Sequence, residues 1–124
     1  MKRILIFDTE EMQDFYRTMF KGKEDEYESE SEDNGAVAFN RLKERNFDLV
    51  IMEILMAPMN GQEFYSLIRS DPETDKVPVL AVSVLNPESL QHLKKVNKIA
   101  ILQKPVSEEQ LFDEIEKMIA KYST

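Results

Sequence analysis

Asp8, Thr9, Glu53, Ser83 and Lys104 lie far apart in the sequence, yet each stands at or just beyond the carboxyl end of a short apolar run. Ile4 to Phe7 leads into Asp8 and Thr9, Leu49 to Met52 into Glu53, Val77 to Val82 into Ser83, and Ile99 to Leu102, through Gln103, into Lys104. Strands that end together gather two acids, two hydroxyls and one cation at one edge of a sheet, where loops converge and helix N-termini point inward. Glu53 is the pivotal member, because its carboxylate either does chemistry or only holds a charge in place. Acids at strand ends also cap helices, which accounts for Asp8 taken alone but not for all five positions together.

The runs that position these residues alternate with helical patterns. Ile4 to Phe7 predicts a buried strand, Asp8 and Thr9 a helix cap, and Met12, Phe15, Tyr16, Met19 and Phe20 a helix with one apolar face. Glu24 to Asp33 has Tyr27 as its only large apolar side chain and predicts a weak edge strand; Asn34-Gly35 then turns into a helix carrying Val37, Ala38, Leu42, Arg41, Lys43 and Arg45. Leu49 to Met52 predicts another buried strand, Gln62 to Arg69 a helix with Phe64, Leu67 and Ile68 inward, and Val77 to Val82 a further buried strand after the breaker Asp71-Pro72. Pro87 opens a helix through Leu90 and Leu93, and Ile99 to Leu102 is the last strand. Val106 to Tyr122 is the last helix, with Ser107 as its cap and Leu111, Ile115, Met118 and Ile119 inward. Five strand-helix units with continuously apolar strands call for a doubly wound α/β domain, its parallel sheet covered on both faces.

Composition narrows the function. The 124 residues suit one domain spanning 1–124, and 42% hydrophobic with 32% charged residues is an ordinary globular balance. A net charge of −8 repels nucleic-acid phosphate and anionic lipid, so protein partners are expected, with no nucleic acid and no membrane. The absence of cysteine excludes disulfides, thiolate nucleophiles and cysteine-ligated metals, and the single His92 cannot build a histidine metal cluster. Ile4 to Phe7 is too short for a signal-peptide core, so a cytoplasmic protein is expected.

In order and spacing, these motifs resemble the receiver domain of bacterial response regulators over essentially the whole chain. Ile4-Leu5-Ile6-Phe7-Asp8-Thr9-Glu10 is similar to the family's first strand and acidic pair, Asp48-Leu49-Val50-Ile51-Met52-Glu53 to its phosphoacceptor strand, and Met56 to Gly61 to the following turn. Val77-Pro78-Val79-Leu80-Ala81-Val82-Ser83 is similar to the strand ending in the switch hydroxyl, and Leu102-Gln103-Lys104-Pro105 to the one ending in the signature lysine. The resemblance implies a CheY-like, flavodoxin-like (βα)5 fold with strand order 2-1-3-4-5. It implies a place in two-component or phosphorelay signal transduction, as a regulator and not an enzyme. It also implies a cis bond between Lys104 and Pro105, and a magnesium site drawn from Asp8, Glu53 and the main-chain carbonyl of Leu55.

Two departures bear on that chemistry. Thr9 replaces the second acid of the pair, so a hard dication loses a principal anionic ligand. Glu53 stands where the family has the aspartate that is phosphorylated, and its extra methylene carries the carboxylate about 1.5 Å into the phosphoryl space. A carboxylate held there, in reach of Lys104, imitates the phosphorylated form at lower charge. Ser83 keeps the switch hydroxyl, whereas Ile101 takes the place of the switch aromatic and is expected to pack in the core. Glu30 and Glu32 fall where the family is usually apolar, so the edge strand is expected to be short or frayed.

The expected function is therefore an atypical receiver with no cofactor and at most weak magnesium binding. It docks a histidine kinase or a downstream regulator through the fourth helix, last strand and last helix, a face that also offers a homodimer contact. The alternatives are a phosphorylation-competent, magnesium-dependent switch and, further off, an FMN-binding flavodoxin-like protein. The acids Asp8, Glu10 and Glu11 replace the glycine- and hydroxyl-rich phosphate loop that FMN needs.

Overall fold

Strictly alternating burial on both sides of each central strand is what the continuous apolar runs demand. The computed structural model, which describes residues 1–95 and 98–122, meets that demand with five parallel strands. These are β1 (Lys2–Phe7), β2 (Tyr27–Glu32), β3 (Leu49–Met52), β4 (Val79–Ser83) and β5 (Ile99–Gln103), ordered β2-β1-β3-β4-β5. Ile4, Ile6, Leu49, Ile51, Leu80 and Val82 face one side, under α1 (Glu10–Phe20) and α4 (Glu108–Tyr122). Leu5, Phe7, Val50, Met52, Val79 and Ala81 face the other, under α2 (Gly35–Glu44), α3 (Gly61–Ser70) and a 3₁₀ helix (Pro87–Lys95). The central strands are therefore dry on both faces, and polar groups at their ends are the exception.

Local sequence fixes where the helices begin. The Thr9 hydroxyl accepts from the Met12 amide, the Asn34 side chain from Val37, and Ser107 from Gln110. At α3 the Asn60 and Glu63 side chains and amides form a reciprocal capping box. Gly61 follows at the first helical position, where an added Cβ would stand 2.4 Å from the Glu53 carbonyl oxygen. Glycine there lets α3 press directly against the end of β3.

The structure corrects several expectations. β2 is neither short nor frayed: all six residues pair with β1, from Lys2 with Tyr27 to Phe7 with Glu32. The reason lies in α2, which turns Arg41 toward both acids, Nη1 to Glu30 Oε1 and Nη2 to Glu32 Oε1, each at 2.6 Å. Arg45 adds a third contact, 3.0 Å to Glu30 Oε2. In α3 the buried residues are Phe64, Tyr65 and Ile68, while Leu67 is exposed, because an aromatic at position 65 is the one aimed at the sheet. The fourth helix is 3₁₀ rather than α, and β5 is half-covered along Ile99 to Leu102 rather than buried, as suits an edge strand beneath a thin helix. β4 begins at Val79, two residues later than the apolar run, since Val77 and Pro78 precede its pairing with β3.

The bridge from α2 to β2 carries a prediction. Arg41→Ala leaves Glu30 and Glu32 partly buried side by side without their common cation and costs about 1–2 kcal/mol. Urea denaturation in low and in high salt checks it: the loss is expected to shrink as salt screens the two carboxylates.

Candidate functional site

Four strand ends and one helix start bring the five expected residues together. Asp8 follows β1, Glu53 follows β3, Ser83 closes β4 and Lys104 lies one residue past β5. Asp8 is fully buried, Glu53 3% exposed and Ser83 fully buried, an arrangement that forces each polar atom to find a partner. Lys104 supplies the charge. Its Nζ lies 3.1 Å from Asp8 Oδ2 and 3.3 Å from Glu53 Oε1, so one ammonium serves two buried carboxylates.

Glu53 is bonded on both oxygens. Oε1 accepts from the Val84 amide at 3.2 Å as well as from Lys104, and Oε2 accepts from the Ile54 amide at 2.5 Å and the Leu55 amide at 3.4 Å. Burial pushes this carboxyl up, but the Ser83 hydroxyl, the Lys104 ammonium and the Ile54 and Val84 amides outweigh it, so it sits below the ordinary value and is held as an anion. Ser83 itself accepts from the Leu85 amide. Asp8 goes the other way: burial raises its carboxyl above the ordinary value despite Lys104 and the Thr9 amide, which donates to Oδ1 at 2.7 Å.

The donor set does not match a hard dication. Thr9 turns its oxygen to the Met12 amide, Asp8 and Glu53 already share an ammonium, and the described residues hold no cluster of three or more histidine, aspartate or glutamate side chains. Such an ion keeps several waters and is held through one or two carboxylates, and both carboxylates of this pocket are already engaged by Lys104.

Of the remaining expected positions, Ile101 is half-buried and packs on the sheet face shared with α3. Lys104-Pro105 is cis as the resemblance implied, and Ala57-Pro58 is a second cis bond that was not expected. Met56 and Met59 pack partly buried against the same face, and His92 is exposed with Nε2 3.3 Å from Gln62 Oε1. Sequence reasoning missed the amides of Ile54 and Val84, which have no side-chain signature. Leu55 and Val84, whose amides hold Glu53, carry side chains exposed at 55% and 52%.

A parallel 2-1-3-4-5 sheet ending in an acid, a carboxylate, a hydroxyl and a lysine is the layout of one family. The model of the response regulator receiver domain matches residues 4–116, and the chain belongs to that family. Among relatives, it is 35% identical to the response regulator receiver protein CpdR of Brucella abortus, over 96% of this chain and 98% of that protein. It is also 31% identical to a probable cyclic di-GMP phosphodiesterase of Vibrio cholerae, over 72% of this chain but only 20% of that longer protein. Solved structures share the fold. The chemotaxis response regulator CheY4 of Vibrio cholerae matches with a TM-score of 0.83 at 24% identity, covering 95% of this chain and 98% of that one. The receiver domain of the sensor histidine kinase PA1611 from Pseudomonas aeruginosa, described with a magnesium ion in its active-site cleft, matches with a TM-score of 0.81 at 19% identity, covering 96% and 98%. The chain is thus a receiver domain of two-component signalling, a regulator and not an enzyme. No described helix is long and apolar enough to cross a membrane.

Proposed function

We propose that this is an atypical receiver, a single domain over residues 1–124, that works by docking proteins and does not accept a phosphoryl group. The observation that carries the reading is the state of Glu53. Its carboxylate meets a lysine, a serine hydroxyl and the amide after that serine, contacts suited to a phosphoryl oxygen. A permanent charge in that position holds the β4 end as phosphorylation would, at one negative charge instead of two.

Two further features support it. In-line attack needs placement finer than an ångström, and a carboxylate fixed by three amides, a hydroxyl and an ammonium is not free to move. A dication that would offset charge on an incoming phosphoryl group finds Thr9 where an acid is needed and Lys104 already between the two carboxylates. The site residues are accordingly Glu53 at the phosphoacceptor position, with Asp8, Thr9, Ser83, Ile101, Lys104 and Pro105 around it, and Asp8, Glu53 and Leu55 as at most a weak magnesium set. The partners are a histidine kinase or a downstream regulator in the cytoplasm, met through the 3₁₀ helix, β5 and α4; the half-covered β5 leaves apolar surface there for a partner or for a second copy of the chain.

Incubation of the unmodified chain with acetyl phosphate and magnesium, followed by intact mass measurement, tests the proposal. The expected spectrum is unchanged. A stable adduct of one phosphoryl group overturns it in favour of a working switch.

A further inference from the structure

We infer that the outer edge of β2 docks an extended, basic segment of a partner protein, which joins the sheet as a further strand. β2 stands first in the strand order, so only its inner edge is paired. Two flanking bonds, from the Lys2 amide to the Glu26 carbonyl and from the Asp8 amide to the Glu32 carbonyl, fix which peptides face β1. In a parallel ladder of this register they are those of Glu28, Glu30 and Glu32. The N–H and C=O groups of Ser29 and Ser31 therefore point outward, and among the described residues nothing bonds them. All six residues of the strand pair in continuous register with β1, and none is proline. A long, regular, open edge is a template for another strand.

Side-chain charge ordinarily blunts such an edge, but here the charge on the strand is turned to one face and neutralised. Glu28, Glu30 and Glu32 share the face toward α2, where Arg3 lies 3.5 Å from Glu28 and Arg41 and Arg45 hold the other two. The opposite face carries the uncharged Ser29 and Ser31. Beside Ser29 a cleft of about 580 Å³ opens, lined by Met1, Phe20, Lys21 and Tyr27 among others. Main-chain bonds to Ser29 and Ser31 give affinity for an extended segment, and the cleft selects one with a large apolar side chain. Charge selects the rest. Glu24, Asp25 and Glu26 before the strand and Asp33 after it are exposed and form no ion pair among the described residues. A second copy of the chain is a poor occupant, because two-fold pairing of β2 with β2 is antiparallel and sets Glu24 to Glu26 of one copy against Asp33 of the other. A segment with lysine or arginine at both ends meets opposite charge at both ends. The site lies across the sheet from the β5 edge and stands whether or not Glu53 takes a phosphoryl group.

The probe is the acetylated and amidated peptide Lys-Val-Lys-Phe-Lys-Val-Lys, titrated into the full chain. Amide chemical shifts give its affinity, and amide hydrogen exchange reports the new bonds. The Ser29 and Ser31 amides are expected to exchange about 10-fold more slowly with peptide bound, while those of Glu28 and Glu30, already bonded to β1, are unchanged. The same peptide methylated at every main-chain nitrogen keeps the charges and side chains but cannot donate to the edge, and it is expected to protect neither serine. Asp25→Lys together with Asp33→Lys, both at exposed positions, is expected to weaken binding of the unmethylated peptide by about 10-fold. Equal binding by the methylated peptide, which reads charge alone, overturns the inference. So does a lack of protection at Ser29 and Ser31 up to millimolar peptide, and so does their protection by self-association without peptide, which assigns the edge to a second copy.

Discussion

The double variant Thr9→Asp, Glu53→Asp takes up one phosphoryl group from acetyl phosphate in the presence of magnesium, at least about 100-fold faster than the unmodified chain. Shortening residue 53 by one methylene withdraws its carboxylate about 1.5 Å from the phosphoryl space. That shift breaks the contact with the Val84 amide, at 3.2 Å, and frees that amide and the Ser83 hydroxyl for an incoming group. An acid at position 9 restores a second anion beside Asp8, so that a dication can compete with Lys104 for the pocket. Each change alone is expected to fall short, Glu53→Asp for want of a cation and Thr9→Asp for want of a placed nucleophile. Time-resolved mass measurement with and without magnesium reads all four proteins. A single Glu53→Asp variant as fast as the double one would show that Thr9 is no obstacle.

The second large effect is on stability. Lys104→Met removes the one cation shared by two buried carboxylates and costs about 3 kcal/mol at neutral pH. The pH dependence identifies the cause. Glu53 is held below its ordinary value, so the stability it contributes is present above the normal carboxylate range and is lost as pH falls through the depressed value. Asp8 is raised, so its contribution is present at low pH and is lost as pH rises through the elevated value. Without Lys104 both carboxyls move up, because each loses a lowering partner. The deficit of the variant is therefore greatest near pH 7 and closes as both groups protonate on acidification. Denaturant titrations from pH 7 to pH 4 measure it; a deficit of constant size across that range would assign the loss to packing of the lysine stem instead.

The fold was largely legible because it rests on burial, and burial is written in side chains. Leu49-Val50-Ile51-Met52 can only be a strand covered on both faces, and the residue after such a strand is placed without further information. β2 was misread for the complementary reason: Tyr27 to Glu32 carries no apolar pattern, and its length is set by Arg41 and Arg45, nine or more positions away on another element. Leu67 and Tyr65 exchanged places because each lies three positions from a core residue, Leu67 from Phe64 and Tyr65 from Ile68, so the pattern admits either flank of the apolar stripe. At the site, Asp8, Glu53, Ser83 and Lys104 announced themselves by type and position. The amides of Ile54 and Val84 did not, since every residue but proline has one, and only the path of the chain decides which amides converge.

Asp8 and Lys104 are separated by 96 positions, and Glu53 and Lys104 by 51. During synthesis the two acids are therefore made long before their counter-ion, and β1 and β3 can associate only with two like charges side by side at their ends. Docking of the last strand removes that penalty in one step. Folding of this chain should accordingly be gated by its C-terminal portion, and nascent or truncated forms that lack β5 carry a built-in electrostatic brake against premature closure.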